Sequence, residues 1–123
     1  MVLVKKWFPA LAICAFLFWS SSRSNMEISP DKSVDFPTRK IVHFLIYGAL
    51  CVSLYRATGS LALSVILAGL YGLFDEYHQL FTPLRSGKMS DVVIDLLGAT
   101  SGASLLWKFY PNLPKILKNW LKP

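Results

Sequence analysis

The sequence has few charged residues and lacks the signals that identify the common classes of soluble enzyme. Only 16% of its 123 residues are Asp, Glu, Lys or Arg, whereas 54% are hydrophobic and the mean hydropathy is +0.45. It contains no phosphate-binding loop, no nucleophile elbow and no HExxH zinc motif. An ordinary soluble domain of this size is not so apolar, so the composition points to a membrane protein.

Cysteine is also scarce, and its positions exclude a disulfide framework. The two cysteines, Cys14 and Cys51, both lie inside apolar segments. We expect them to act as small apolar side chains.

Four apolar segments, separated by charged or Pro- and Gly-containing stretches, dominate the chain. They predict an all-α, polytopic membrane protein, a compact bundle of four transmembrane helices at about residues 7–22, 40–56, 60–81 and 91–110. Several segments are shorter than the roughly 20 residues that cross about 30 Å of hydrocarbon, so polar residues are expected at the helix ends, within or near the membrane. A soluble helical bundle is the alternative, but the segments are apolar on every side and end in Trp or Tyr, which favours the membrane.

The first apolar segment also fits a cleavable signal peptide, because Lys5 and Lys6 precede it and three serines follow it. We interpret it as the first helix of a single transmembrane domain, residues 1–110, followed by a basic juxtamembrane tail, residues 111–123. The lysines of this tail are expected to attract anionic lipid headgroups. No motif for nucleic-acid binding is present.

The distribution of charge gives a weak signal for orientation. In a four-helix arrangement, both termini and the turn at residues 56–60 share one side, which carries seven of the 13 Lys and Arg residues. Every acidic residue lies on or near the other side. We therefore expect a multi-pass protein of the cell membrane with both termini in the cytoplasm.

Polar side chains collect at the ends of three predicted helices, all on that second side. They are Lys40, His43 and Tyr47 at the start of helix 2, Asp75, Glu76, His78 and Gln79 at the end of helix 3, and Asp91 and Asp95 at the start of helix 4. Arg85, in the turn between helices 3 and 4, is expected to reach carboxylates on either helix. Because such groups are costly in a membrane unless paired, they predict one polar site.

Glycines on the last two predicted helices are expected to allow close helix approach. They are Gly69, Gly72, Gly98 and Gly102. For Gly98 and Gly102, space beneath a ligand pocket is the alternative.

Three segments of the predicted site resemble the VanZ-like family of bacterial membrane proteins. They are residues 40–47 (KIVHFLIY), residues 75–85 (DEYHQLFTPLR), and the set Asp91, Asp95, Gly98 and Gly102. The likeness covers about residues 16–102, and it departs from the family at Leu84, where Gly often precedes the Arg. The resemblance implies a cell-envelope protein of four or more helices whose founding member is linked to teicoplanin resistance. It implies no particular reaction.

Three functions follow as hypotheses. The first is binding or modification of an envelope lipid, or of its anionic headgroup, at the outer face, with Lys40 and Arg85 holding the anion. The catalytic candidates are His43, Glu76 and Asp91, and the ligand-binding candidates are Lys40, Tyr47, Asp75, His78, Gln79, Arg85 and Asp95. Whether the protein is an enzyme stays open.

The second hypothesis is a proton or ion relay, which would require a homo-oligomer because four short helices form a thin permeation path. The third is a structural lock of ion pairs without chemistry. No cofactor and no metal are expected, since no fixed ligand spacing is present and Lys40 and Arg85 would repel a cation.

Overall fold

The computed structural model describes residues 2–23 and 28–122, and within these ranges the chain is helical, without strands. Its elements are α1 (Val2–Ser21), α2 (Lys32–Thr58), α3 (Leu61–Gln79), α4 (Met89–Phe109), a 3-10 turn (Tyr110–Asn112) and α5 (Lys115–Leu121). The predicted all-α bundle of four long helices is confirmed.

Helix α2 begins eight residues earlier than expected, at Lys32 instead of residue 40. Asp31 caps it, because its carboxylate accepts hydrogen bonds from the Ser33 hydroxyl at 2.7 Å and the Ser33 backbone N–H at 2.9 Å. These two bonds lower the pKa of Asp31. The predicted bounds leave residues 23–39 as a connection between the first two helices, which is wrong from Lys32 onward, and residues 24–27 of that connection lie outside the described chain.

The C-terminal ends of the four long helices lie close to where the sequence predicts. Gly59 ends α2 in the left-handed conformation, with φ 72°, and its N–H bonds to the Tyr55 carbonyl. Ser60 then caps α3 by accepting from the Leu63 N–H. Helix α4 ends at Phe109, two residues before Pro111.

Helix α2 is the centre of the bundle and packs against α1, α3 and α4. The core is built around its side chains Tyr47, Leu50 and Cys51, with small residues such as Ala68 and Ala99 on the facing helices. Small facing residues let the helix axes approach closely.

The seam between α2 and α4 explains the predicted glycines. A Cβ on Gly98 would collide with the Phe44 carbonyl oxygen, and one on Gly102 would lie 2.6 Å from the Gly48 carbonyl oxygen. The expected packing function of Gly98 and Gly102 is thus confirmed, with Gly48 as a partner that the sequence pattern did not single out.

Large apolar side chains remain exposed around the outside of the bundle. Leu11, Leu45, Ile66 and Leu97, one on each long helix, are each more than half exposed. Two segments, Lys32–Thr58 and Met89–Asn112, are long and apolar enough to cross a membrane. A soluble bundle would bury such side chains, so this surface is suited to lipid.

At the end of the bundle opposite the predicted site, Arg56 ties the chain termini to α2. Its Nε donates to the Trp120 carbonyl at 2.9 Å, and its Nη1 donates to the Lys5 carbonyl at 3.0 Å. The guanidinium also lies over the Trp120 ring, 4.6 Å from the centroid. The tail is therefore docked on the bundle through α5, a helix that the sequence did not predict.

Candidate functional site

A cavity of about 290 Å³ lies where α2 and α4 begin and α3 ends. Most of the predicted site residues line it, namely Lys40, His43, Glu76, Gln79, Arg85, Asp91 and Asp95. The other lining residues are Phe36, Arg39, Leu84, Ser86, Lys88 and Ile94. The three helix ends therefore converge as the topology predicted.

Two charged or polar pairs join α2 to α4 at this end. Lys40 Nζ lies 3.2 Å from Asp91 Oδ1, and one turn deeper His43 Nδ1 lies 3.2 Å from Asp95 Oδ1. If Nδ1 of His43 donates to Asp95, the other ring nitrogen, Nε2, is the one that can exchange a proton with a ligand.

Asp95 is fully buried, and only one of its two oxygens is satisfied. Within the described chain, Asp95 Oδ2 and the Tyr47 hydroxyl have no hydrogen-bond partner. Both residues border the same small space, because a Cβ on Gly72 would lie 3.3 Å from Asp95 Oδ2 and 3.5 Å from the Tyr47 ring. Leaving a buried polar group unpaired costs about 1–3 kcal/mol, so this arrangement does not serve stability.

Tyr47 is the first predicted site residue that the structure places elsewhere. Its side chain is fully buried, does not line the cavity and lies between the rings of His43 and Tyr71. One turn deeper than His43, it belongs to the hydrophobic core. Tyr47 therefore lies outside the cavity lining, and its predicted contact with a ligand stays a prediction.

Asp75 is held on the α1 side of α3 and also does not line the cavity. Its Oδ1 accepts from the Ser21 hydroxyl at 2.6 Å, and its Oδ2 accepts from Gln79 Nε2 at 3.2 Å. The same Gln79 nitrogen lies 3.3 Å from Glu76 Oε1. Gln79 thus connects the buried Asp75 to the cavity carboxylate Glu76.

Glu76 is fixed from the following turn as well. Its Oε2 accepts from the Lys88 backbone N–H at 2.8 Å, just before α4 begins. A Cβ on Gly87 would collide with the Glu76 carbonyl oxygen, so the turn must lie against the end of α3. Glycine at residue 87 permits this approach.

His78 faces the end of α1 instead of the cavity. Its ring stacks on Phe18 at 4.4 Å, and its Nε2 lies 2.9 Å from the Ser22 hydroxyl. That hydroxyl already donates its single hydrogen to the Phe18 carbonyl at 2.7 Å, so His78 Nε2 must be the donor. The structure therefore places His78 outside the cavity, because its ring is directed toward α1.

Arg85 does not pair with the carboxylates that were expected to hold it. Its Nε and Nη2 both donate to the Arg23 carbonyl, at 3.2 and 3.1 Å, and within the described ranges it forms no ion pair. Asp91 and Asp95 instead pair with Lys40 and His43 on α2. Burial, and then the nearby Arg39, lower the pKa of Arg85, although an Arg stays charged.

The turn before Arg85 is strained at Leu84. Leu84 has φ 62°, the left-handed conformation, and it is the one non-glycine residue in the described chain with positive φ. Glycine adopts this conformation without the Cβ clash that a Leu experiences.

Two cationic cavity residues were missed in the sequence. Arg39 Nε lies 2.7 Å from Asp35 Oδ2, an ion pair in which the N–H is not aimed at the oxygen well enough to count as a hydrogen bond. Its spacing four residues before His43 could have revealed it. Lys88 carried no comparable signal, because it lies in the turn.

The cavity carries more positive than negative charge. Arg39, Lys40, Arg85 and Lys88 face three carboxylates, those of Glu76, Asp91 and Asp95. Across residues 2–23 and 28–122, no three His, Cys, Asp or Glu side chains are grouped so that they could hold a metal ion. The lining is suited to an anion.

The sequence profile of the VanZ/LLP1 family matches residues 5–110. The chain belongs to the VanZ/LLP1 family. The match extends from α1 through the first residue after α4, so it includes the whole cavity and leaves α5 outside. A search of curated proteins and a search of solved structures gave no match. Family membership and the two long apolar helices together identify a membrane protein.

Proposed function

We propose that this VanZ/LLP1 protein binds the anionic headgroup of an envelope lipid in the polar cavity. In this arrangement α1 to α4 all cross the membrane, both termini are cytoplasmic, and the cavity opens at the outer face. The exposed apolar side chains on all four helices support the spans.

The observation that carries the proposal is the pair Arg85 and Lys88. Both line the cavity, and neither forms an ion pair within the described chain, whereas the cavity carboxylates are already paired or hydrogen-bonded. Both Arg85 donations go to one carbonyl oxygen, which leaves Nη1 of the guanidinium for a ligand. Charge-assisted bonds to phosphate or carboxylate oxygens are the strong ones.

The remaining cavity residues position the ligand and supply a proton acceptor. Lys40 keeps its ammonium group beside Asp91 and can share it with a bound anion. His43, oriented through Nδ1 by Asp95, presents Nε2 as the candidate acceptor. The catalytic assignment of His43, Glu76 and Asp91 remains a prediction, as does the relay alternative, for which the Gln79 amide between Asp75 and Glu76 is a poor carrier.

The test is mass spectrometry of lipids that copurify with the protein. In the double variant Arg85→Gln, Lys88→Gln, the enrichment of phosphatidylglycerol over phosphatidylcholine should fall about tenfold. This factor corresponds to about 1.4 kcal/mol of binding free energy. The matched control is Lys5→Gln, Lys6→Gln, which removes the same charge from the opposite end and touches neither the cavity nor its lining. An unchanged lipid profile in the first variant, with normal accumulation in the membrane, would contradict headgroup binding.

Arg85→Lys separates binding from folding. Arg85 also donates to the Arg23 carbonyl, so a loss of lipid in the Gln variant alone does not distinguish the lost ligand contact from the lost Arg23 contact. Lys keeps the charge but not the planar fork, so we expect part of the lipid enrichment to return. The orientation is tested separately by a reporter fused after residue 123, which should report the cytoplasm.

A further inference from the structure

A second concave surface lies along the α2–α4 seam, away from the polar cavity. It encloses about 590 Å³ and is lined mainly by apolar side chains, among them Phe44, Ala49, Leu105 and Phe109. We call this surface the seam groove. No residue of the seam groove lines the polar cavity.

The floor of the seam groove is formed where the two helix backbones meet. Gly48, Gly98 and Gly102 lie there without side chains, and their backbones touch across the seam. The larger side chains of Phe44 and Leu105 flank this floor. The groove is therefore a fixed feature of helix packing, since any added Cβ at Gly98 or Gly102 would meet backbone.

The groove has the length of one membrane leaflet. Along α4 it extends from Gly98 to Phe109, about 16 Å at 1.5 Å per residue. This is about half of the roughly 30 Å hydrocarbon core. A transmembrane helix of another protein would need to follow the whole thickness, whereas a hydrocarbon chain from one leaflet fits this length.

Positive charge lies at the end of the groove near α5. The Lys108 ammonium is 5.5 Å from the centroid of Phe109, and the Arg56 guanidinium is 4.6 Å from the centroid of Trp120. Both rings line the groove. An aromatic ring with a cation over it, at the end of an apolar groove, matches the boundary between a lipid chain and its phosphate.

We propose that the seam groove binds one acyl chain of an anionic phospholipid from the leaflet on the α5 side, with its phosphate at Lys108 and Arg56. This site is separate from the headgroup cavity and does not depend on it. The lipid lies against the α2–α4 seam and fills the space above the three glycines.

The experiment uses the full chain in nanodiscs that contain either phosphatidylglycerol or phosphatidylcholine with a photoreactive diazirine in the acyl chain. Cross-links from phosphatidylglycerol should concentrate at residues 44–53 and 98–109. Ala49→Phe, which adds a ring at an exposed residue of the groove lining, should reduce these cross-links about tenfold. Ala62→Phe, an equal change at an exposed residue of α3 outside the groove, should leave them unchanged.

The headgroup contact is tested with Lys108→Gln against Lys32→Gln. Lys108→Gln should reduce phosphatidylglycerol cross-linking about fivefold, which corresponds to about 1 kcal/mol for a basic residue at the surface. It should leave the phosphatidylcholine cross-linking unchanged. Lys32→Gln should alter neither signal.

Three results would overturn the groove site. One is labelling spread evenly over the lipid-facing residues of α1 and α3. Another is labelling that Ala49→Phe does not change. The third is a disulfide between two copies of an Ala49→Cys variant, which would place a second protein molecule on the groove. Arg85→Gln, Lys88→Gln should not alter groove labelling, so failure of this site and failure of the headgroup cavity are distinguishable.

Discussion

The two ends of the bundle are finished in different ways. At the α5 end, Gly59 supplies the one turn that needs positive φ, Ser60 caps α3, and Arg56 gives its donors to backbone carbonyls. At the cavity end, Leu84 adopts positive φ, Asp95 keeps an unpaired buried oxygen, and Arg85 has no carboxylate partner within the described residues.

This difference indicates where the protein gives up stability. Residue choices at the α5 end agree with the local backbone and with hydrogen bonding. The cavity end breaks these rules at three places that surround one space. Strain and unpaired groups concentrate at functional sites, so the comparison supports a ligand at the cavity end.

The largest effect is expected from the seam on which both ends depend. Gly98→Ala places a methyl group against the Phe44 carbonyl, and the backbones must separate. Because the methyl group meets rigid backbone, we expect a loss of stability at the upper end of the range for overpacking, about 3 kcal/mol, and a fall in membrane accumulation, measured by immunoblot of membrane fractions. The helix packing should loosen at both ends of the bundle.

Gly69→Ala is the matched control for that change. Its new Cβ would meet only the end of the flexible Leu96 side chain, at 3.2 Å. Normal accumulation of Gly69→Ala beside a loss for Gly98→Ala is the expected outcome. Equal accumulation of the two variants would mean that α2 and α4 are not in close contact.

A smaller effect, confined to the cavity end, is expected from Asp75→Ala. This change leaves the buried Ser21 hydroxyl without its acceptor and removes one of the two acceptors of the Gln79 amide, at a cost of about 1–3 kcal/mol. Asp75→Asn keeps one oxygen for Ser21 and should cost less. Hydrogen exchange should increase near residues 18–22 and stay constant near Arg56, and an increase at both ends would contradict the separation.

The smallest effect compares the two residues with positive φ. Leu84→Gly should raise stability by about 1 kcal/mol, because Leu84 is 89% exposed and loses little packing. Gly59→Ala should lower it by a similar amount. Thermal unfolding in detergent measures both, and a destabilised Leu84→Gly would show that the Leu side chain has a function at the cavity.

Most of the fold could be predicted because apolar segments report directly on membrane helices. The start of α2 could not, since the Ser, Asp and Pro residues at positions 29–37 suggest a loop. In the structure Asp31 instead caps a helix by accepting hydrogen bonds from Ser33. Helix α5 was missed because it is short and its stability comes from tertiary contacts of Trp120 and Leu121.

The sequence was enough to predict where the candidate site lies, but not which of its side chains pair with each other. Topology was enough to bring Lys40, Glu76 and Asp91 to one cavity. His78 lies on the side of α3 that faces α1, and Arg85 meets the Arg23 carbonyl instead of a carboxylate. Such details depend on side-chain direction, which spacing along one helix does not fix.

The central claim is that the cavity binds an anionic headgroup. The most direct measurement is an experimental structure of the protein in nanodiscs that contain phosphatidylglycerol. The account predicts a phosphate in the cavity, within hydrogen-bond distance of Arg85 and Lys88. A cavity that holds only water, with Arg85 turned to pair with Asp91 or Glu76, would contradict it.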